Sequence, residues 1–229
     1  MILLPRTTAE GIPRISYSQL NTFIGEKAFN QVLVNNKLTE ISGTTGYILK
    51  YFENFEFPPS PMDIYAPFGQ KVEDAISEQN YQGFDAEEIK ILKSIKPIGT
   101  FQREVNIDFG EFIVYGLIDD CNEDQSYLRD YKTASKNSMK QYTTDSYKQL
   151  DVYALDKYKK TGELPDKMEV CVILREGSHF KPPLKVRGVE YIDRSTDVGR
   201  LLWIEASIRG WVKEISDAYQ VYLKIKELV

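Results

Sequence analysis

The sequence holds one histidine, His179, and two cysteines, Cys121 and Cys171. A single histidine followed by Phe-Lys-Pro-Pro excludes histidine-based triads and zinc centres, and reads as surface. The two cysteines have no metal-binding spacing; they read as buried thiols in a reduced, cytoplasmic setting. No apolar run approaches the length of a membrane span, so no membrane partner is expected, and the opening Met1-Ile2-Leu3-Leu4-Pro5-Arg6 is too short for a signal peptide. Internal repeats, low-complexity tracts and long linkers are absent. So is an excess of positive charge: 29 lysines and arginines face 34 acids, a net charge of −5. That excludes a protein that coats nucleic acid without specificity.

What is present is the composition of a globular domain, with 42% hydrophobic and 28% charged residues over 229 positions. The charge is unevenly placed. Residues 71–126 hold thirteen acids against five bases, whereas residues 127–160 hold eight bases against four acids. An acidic stretch followed by a basic one fits a cation site beside a phosphate-binding face, although charge counts alone favour plain solvated surface.

Periodicity divides the chain into elements. Ser16 or Ser18 can cap a helix running to about Asn36, with Leu20, Phe23, Ile24, Phe29 and Val32 on its apolar side. A second helix is expected near residues 47–55, ending at Pro58-Pro59-Ser60-Pro61. Phe68, Val72, Ala75 and Ile76 mark an amphipathic helix over 66–80, and Asp85 with Glu88 is a capping pair for a helix over 86–95. The period then changes to two. Residues 101–109, 111–118 and 127–133 read as three strands joined by turns at Asp108-Phe109-Gly110 and Asn122-Glu123-Asp124. A helix over 146–159 follows, closed by Thr161-Gly162. Residues 168–175 form a continuous apolar strand of the buried kind and 184–192 an edge strand. The tail from Thr196 is one long helix, kinked near Gly210.

The chemistry concentrates on two strands. Gly116-Leu117-Ile118-Asp119 ends the second, and Asp130-Tyr131-Lys132-Thr133 lies on the third. Pairing through the turn at 121–125 brings Asp119 near Asp130, and strand alternation turns Asp130 and Lys132 to one face. Two carboxylates, a backbone carbonyl and an ammonium make a patch suited to magnesium and to the charge that grows on a phosphate under attack. Alone, a strand-end Asp/Lys pair is more often an exposed ion pair. On the following helix Gln149 and Tyr153 stand one turn apart, both able to reach a phosphate or to hold Lys132. Asp120 alternates to the other face and reads as solvated. Lys136, Lys140 and Lys148 lie where they could guide a DNA backbone, though charged loops are usually only that. Tyr142 and Tyr147 could stack on bases, but packing is the commoner fate of such residues.

The order Gly-x-Ile-Asp, Asp-Tyr-Lys-Thr and Gln-x-x-x-Tyr resembles the PD-(D/E)XK nucleases, and within them the RecB-type branch of phage exonucleases, recombination nucleases and CRISPR-associated RecB-like nucleases. The resemblance covers about residues 66–175. The opening Ile15-Ser16-Tyr17-Ser18-Gln19-Leu20 also resembles the helical start of such enzymes. The resemblance implies that Glu73, in Gly69-Gln70-Lys71-Val72-Glu73, joins Asp119 and Asp130 as a metal ligand. The Tyr131 carbonyl would complete the shell, Lys132 would be the catalytic lysine, and Gln149 and Tyr153 would support it. Many relatives have histidine where Glu73 stands, so glutamate points towards magnesium. Some relatives hold an iron–sulfur cluster on four cysteines, which two cysteines cannot do.

The expectation is an α/β chain with a restriction-endonuclease-like mixed sheet flanked by helices, an N-terminal helical segment and a long C-terminal helix. It would form one nuclease domain over 1–229, with a helical arm at about 1–60, a core at about 66–175 and a closing strand and helix at about 184–229. The expected activity is Mg2+- or Mn2+-dependent cleavage of DNA, exonucleolytic, in recombination, repair or degradation in a bacterium or phage-infected cell. A helicase or recombination protein would be its partner. The alternatives are an inactive DNA-binding or structural subunit of the same fold and an RNA-directed nuclease.

Overall fold

The computed structural model describes residues 2–25, 30–34, 37–41, 43–58 and 61–228. The strands β1 (Arg6–Thr7), β2 (Pro13–Ser16), β5 (Thr100–Asp108), β6 (Ile113–Cys121), β7 (Tyr127–Ala134), β8 (Lys167–Ser178) and β9 (Lys181–Arg194) form one seven-stranded mixed sheet. Its order is β1-β2-β6-β7-β8-β9, with β5 also paired to β6. The sheet is flanked by helices, as the sequence pattern predicts. The chain falls into two compact units.

The first unit comprises residues 1–59, 104–116 and 202–229. Here β2 runs parallel to the start of β6, Ile15 opposite Val114. The N-terminal segment carries helices α1 (Tyr17–Gly25) and α2 (Gly43–Tyr51). The first stops well short of Asn36, however, and the segment between them holds an antiparallel hairpin of β3 (Asn30–Val34) and β4 (Lys37–Ile41). Val32 is therefore a strand residue opposite Thr39, and Phe29 lies outside the described residues. The spacing of Phe29 and Val32 imitates one apolar helix face. The signal that wins is the β-branched and apolar run Val32-Leu33-Val34, which favours a strand. The expected arm over 1–60 is thus part helix and part strand. The C-terminal helix α6 (Val198–Lys226) continues through Gly210 without a break. Among the described residues no helix is long and apolar enough to cross a membrane.

The second unit comprises residues 60–103 and 117–201 and carries the candidate site. Helix α3 (Tyr65–Ser77) turns Val72, Ala75 and Ile76 inward at helical spacing, onto a core of Leu92, Ile95, Cys171, Ile173 and Val186. Helix α4 (Ala86–Leu92) starts at the predicted capping box: Asp85 accepts from the amides of Glu87 (3.1 Å) and Glu88 (3.0 Å), and Glu88 accepts from the Asp85 amide (2.9 Å). The other Glu88 oxygen takes the Val186 amide at 2.8 Å, so one side chain both caps α4 and ties it to β9. Residues 168–173 of β8 are all buried between β7 and β9, which is why that strand lacks alternation. Helix α5 (Gln149–Thr161) ends at Gly162, and β9 is the sheet's edge, both as expected. Cys121 and Cys171 are buried free thiols.

Candidate active site

The antiparallel pairing of β6 and β7 sets Asp120 opposite Arg129 and Cys121 opposite Leu128. Alternation then separates two sets of charged residues: Asp119, Asp130 and Lys132 on one face, Asp120, Arg129 and Tyr131 on the other. At the site end the Tyr131 amide donates to Asp119 Oδ2 at 2.8 Å, a bond that fixes the Asp119 carboxylate across the β6–β7 junction.

Asp130 has no exposure to solvent. Its Oδ2 faces the Lys132 ammonium at 2.5 Å, and its Oδ1 is buried with no hydrogen-bond partner among the described residues. A buried carboxylate oxygen left in this state costs about 1–3 kcal/mol unless something else fills its coordination. Lys132 also donates to the Tyr131 carbonyl at 3.2 Å. Its side chain keeps 27% of its surface exposed. Burial pulls its pKa down, but the Asp130 and Asp119 carboxylates outweigh that and raise it, so the ammonium stays charged at neutral pH.

Glu73 reaches the same place from α3. Gly69 lies one turn earlier on the same helix face, where an added Cβ would sit 3.3 Å from Thr133 Oγ1 of β7. An alanine at 69 would therefore require the Thr133 side chain to give by a few tenths of an ångström, and anything larger would push α3 from the strand. Glu73 accepts a short hydrogen bond from Gln102 Nε2. Burial raises its pKa, Lys132 lowers it, and Asp130 and Asp74 raise it again, with a net upward shift. Asp119 is held well above the carboxylate range, first by burial, then by repulsion from Asp130 and Glu73, against the attraction of Lys132 and the Tyr131 amide. The structure therefore brings Glu73, Asp119, Asp130 and Lys132 within mutual electrostatic reach.

Three carboxylates against one ammonium leave two negative charges uncompensated when all are ionised, the charge one divalent cation carries. The donor set is hard oxygen, the chemistry of magnesium and manganese sites. Among the described residues, however, no three acidic, histidine or cysteine side chains converge tightly enough to enclose an ion as they stand. Lys132 lies against Asp130, and Gln102 holds Glu73. Asp130 Oδ1 is the carboxylate oxygen here without a partner among the described residues, while Asp119 Oδ2 accepts the Tyr131 amide and Glu73 would have to turn from Gln102 to join a shared ligand shell.

Gln149 and Tyr153 form a chain of bonds on α5. Gln149 Nε2 donates to the Tyr153 hydroxyl (2.9 Å), which donates to the Leu117 carbonyl (2.6 Å). The pair thus braces β6 two residues before Asp119. Tyr142 is buried and packs edge-on against Tyr147 at 5.4 Å, which is packing, as expected.

Two expectations need correction. Asp120 does lie on the opposite face but is not solvated. It is fully buried and accepts from the amides of Ile98 (2.9 Å) and Gly99 (3.1 Å) and from the Tyr131 hydroxyl (2.8 Å), with Arg129 at 3.5 Å. His179 is not a bare surface histidine, since it is half-buried and its Nδ1 shares a hydrogen bond with the Tyr65 hydroxyl at 3.1 Å. Gln102 is the site residue that sequence reasoning misses. An isolated glutamine on a strand carries no signal of its partner.

A cavity of about 260 Å³ opens between α3 and β7, lined by Tyr65, Gly69, Glu73, Lys132, Thr133 and neighbours. A larger cleft of about 460 Å³, lined by Pro67, Lys71, Phe84 and others, includes none of the candidate residues.

No family model matches the chain, and no curated protein resembles it in sequence. Solved structures do. A phage-related exonuclease from Haemophilus somnus 129PT is 15% identical, with a TM-score of 0.50 over 95% of this chain and 97% of that one. A protein from Eubacterium rectale, provisionally named an exonuclease, is 12% identical, with a TM-score of 0.50 over 89% of this chain and 81% of that one. At such identities the likeness is one of fold.

Proposed function

We propose that this chain is a metal-dependent DNA nuclease of the PD-(D/E)XK type, RecB-like branch, with its active site at Glu73, Asp119, Asp130 and Lys132. The observation that carries the reading is Asp130: a fully buried carboxylate with one unpartnered oxygen, beside a second carboxylate that burial and repulsion hold far above its ordinary pKa. Fully satisfied structural sites do not leave buried acids in this state. The fold shared with proteins named exonucleases supports the same reading.

Asp119 and Asp130, with the Tyr131 carbonyl and Glu73, would hold one or two Mg2+ or Mn2+ ions. Bound there, a divalent cation supplies Lewis-acid activation of water and of the scissile phosphate. Lys132, kept protonated by its carboxylates, donates to the non-bridging phosphate oxygens and offsets the charge they gain as the nucleophile attacks. To do so it must leave the Tyr131 carbonyl, which then becomes free to ligate. Gln149 and Tyr153 act through β6, holding Leu117 and hence Asp119 in place. We place the protein in bacterial or phage DNA recombination, repair or degradation, where a helicase or recombination protein would present its substrate.

One observation favours a second reading. The Lys132 ammonium sits on Asp130 at 2.5 Å, where a cation would bind, as in a nuclease fold that has kept its shape and lost cleavage. Labelled single- and double-stranded DNA and RNA, incubated with and without Mg2+ or Mn2+, separate the two. The active reading expects cation-dependent cleavage of DNA that Asp130→Asn and Lys132→Ala each reduce at least about a hundredfold. Binding without cleavage under any divalent ion supports the inactive module, and cleavage undiminished in both variants rules out this site.

A further inference from the structure

Phe180 lies in the turn between β8 and β9 and is 83% exposed. Burying such a side chain is favourable, and the fold forgoes that while packing the ring on a neighbouring side chain. The Phe180 ring packs on the His179 ring, centroids 3.8 Å apart. His179 is in turn pinned to Tyr65, the first residue of α3, through its Nδ1 (3.1 Å) and its backbone amide, which donates to the Tyr65 hydroxyl (3.2 Å). The turn is preceded by Gly177 at φ +89°, where any Cβ would collide with the Pro183 carbonyl. The hairpin tip is therefore a backbone-locked support for one exposed ring.

The other side of Tyr65 is basic. The Arg175 guanidinium lies 4.0 Å from the Tyr65 ring centroid and donates from Nη1 to the Gly177 carbonyl at 3.2 Å, while its buried Nε has no partner among the described residues. Lys181 follows Phe180 directly. Tyr65 itself lines the 260 Å³ cavity that contains Glu73 and Lys132. Three contiguous rings flanked by Arg175 and Lys181, with Tyr65 at the wall of the carboxylate–lysine cavity, match one kind of ligand: a polynucleotide strand with unstacked bases and a phosphate backbone.

We infer that Tyr65, His179 and Phe180 form a stacking platform for an unpaired segment of the substrate strand, with Arg175 engaging its phosphate next to the scissile bond. The inference rests on the nuclease reading of the neighbouring site and adds the substrate's form: a single-stranded or frayed end. Phe180 offers one ring face, which a base already stacked on both sides within a duplex cannot occupy. A protein partner would instead call for a broad apolar patch, and here a lone ring is flanked by cations.

The test uses the full chain with a chelator present, so that binding is read without cleavage. The probes are fluorescein-labelled oligothymidylate, an abasic strand of the same length and a blunt duplex, followed by anisotropy. Phe180→Ala should weaken oligothymidylate binding by between about fivefold and a hundredfold, leave the abasic strand unchanged, and be rescued by Phe180→Trp. Arg175→Gln should weaken both single strands and reduce the salt slope by about 0.7. Equal affinity of the wild-type chain for thymidylate and abasic strands would overturn the inference, as would unchanged thymidylate binding in Phe180→Ala. So would failure to bind any strand, or a Phe180→Ala effect confined to self-association. Absence of cleavage when Mg2+ is restored would refute the catalytic reading alone and leave the platform standing.

Discussion

The two faces of the β6–β7 pair treat their charges differently. On one, extended by β8, buried Asp120 and Glu169 face buried Arg129 and exposed Lys167, two charges of each sign. Arg129 donates to Glu169 at 2.6 Å and to the Lys96 carbonyl at 2.6 Å, Lys167 lies 2.9 Å from Glu169, and Asp120 accepts three hydrogen bonds. On the other, Asp119, Asp130 and Glu73 share one lysine, and Asp130 Oδ1 has no partner among the described residues. The carboxylate pKa values follow suit. Burial raises Glu169, but hydrogen bonds from Tyr127, Lys167 and Arg129 outweigh it and bring it below the ordinary value. Burial raises Asp119, and its acidic neighbours push it further. The balanced face holds the strands together. The unbalanced face leaves an excess of negative charge when all its acids are ionised, which the proposed divalent cation would offset.

The comparison breaks most sharply at Arg129. Arg129→Ala removes the buried cation facing two buried carboxylates, and urea unfolding should show a loss of about 3–5 kcal/mol. A loss below about 1 kcal/mol would mean that the balanced face is not structural. Removing charge from the other face should act in the opposite direction. Without divalent ions at neutral pH, Asp119→Asn should be more stable than the wild type by about 1 kcal/mol, since Asn still accepts the Tyr131 amide while repulsion disappears.

That gain carries its own pH signature. Above the raised folded pKa, Asp119 is ionised in both states and the native state bears the whole penalty. As pH falls through that value the native state takes up the proton first, and stability rises until the unfolded carboxylate titrates at about pH 4. Glu169 acts oppositely, its contribution being complete above the unfolded value and lost below it. The advantage of Asp119→Asn should therefore shrink on acidification, and Mg2+ should raise the melting temperature of the wild type but not of the variant. A pH-independent difference would sink the assignment. The smallest effect belongs to the brace: Tyr153→Phe removes the bond to Leu117 and should cost about 1 kcal/mol of stability, with a severalfold fall in kcat and an unchanged KM.

The sequence makes some of this legible and hides the rest for physical reasons. Asp119, Asp130 and Lys132 can be placed because strand alternation and a short turn are local rules. Asp85 and Glu88 can be read as a cap for the same reason. The fate of Asp120 cannot, because its partners come from the 98–99 backbone, from Arg129 and from Tyr131, which only the folded sheet assembles. Gln102 on Glu73 and Tyr65 on His179 are long-range pairs of the same sort. The hairpin over 30–41 is masked because a three-residue spacing of apolar residues competes with a β-branched and apolar run.

Gly69 has one further consequence. The small residue at 69 leaves room for the Glu73 helix beside Thr133 of β7, so the third acid is set by steric permission as well as by its bond from Gln102. A bulky residue at 69 would press on Thr133 and displace the Glu73 helix with every acid still in the sequence, a change that motif inspection alone would not detect.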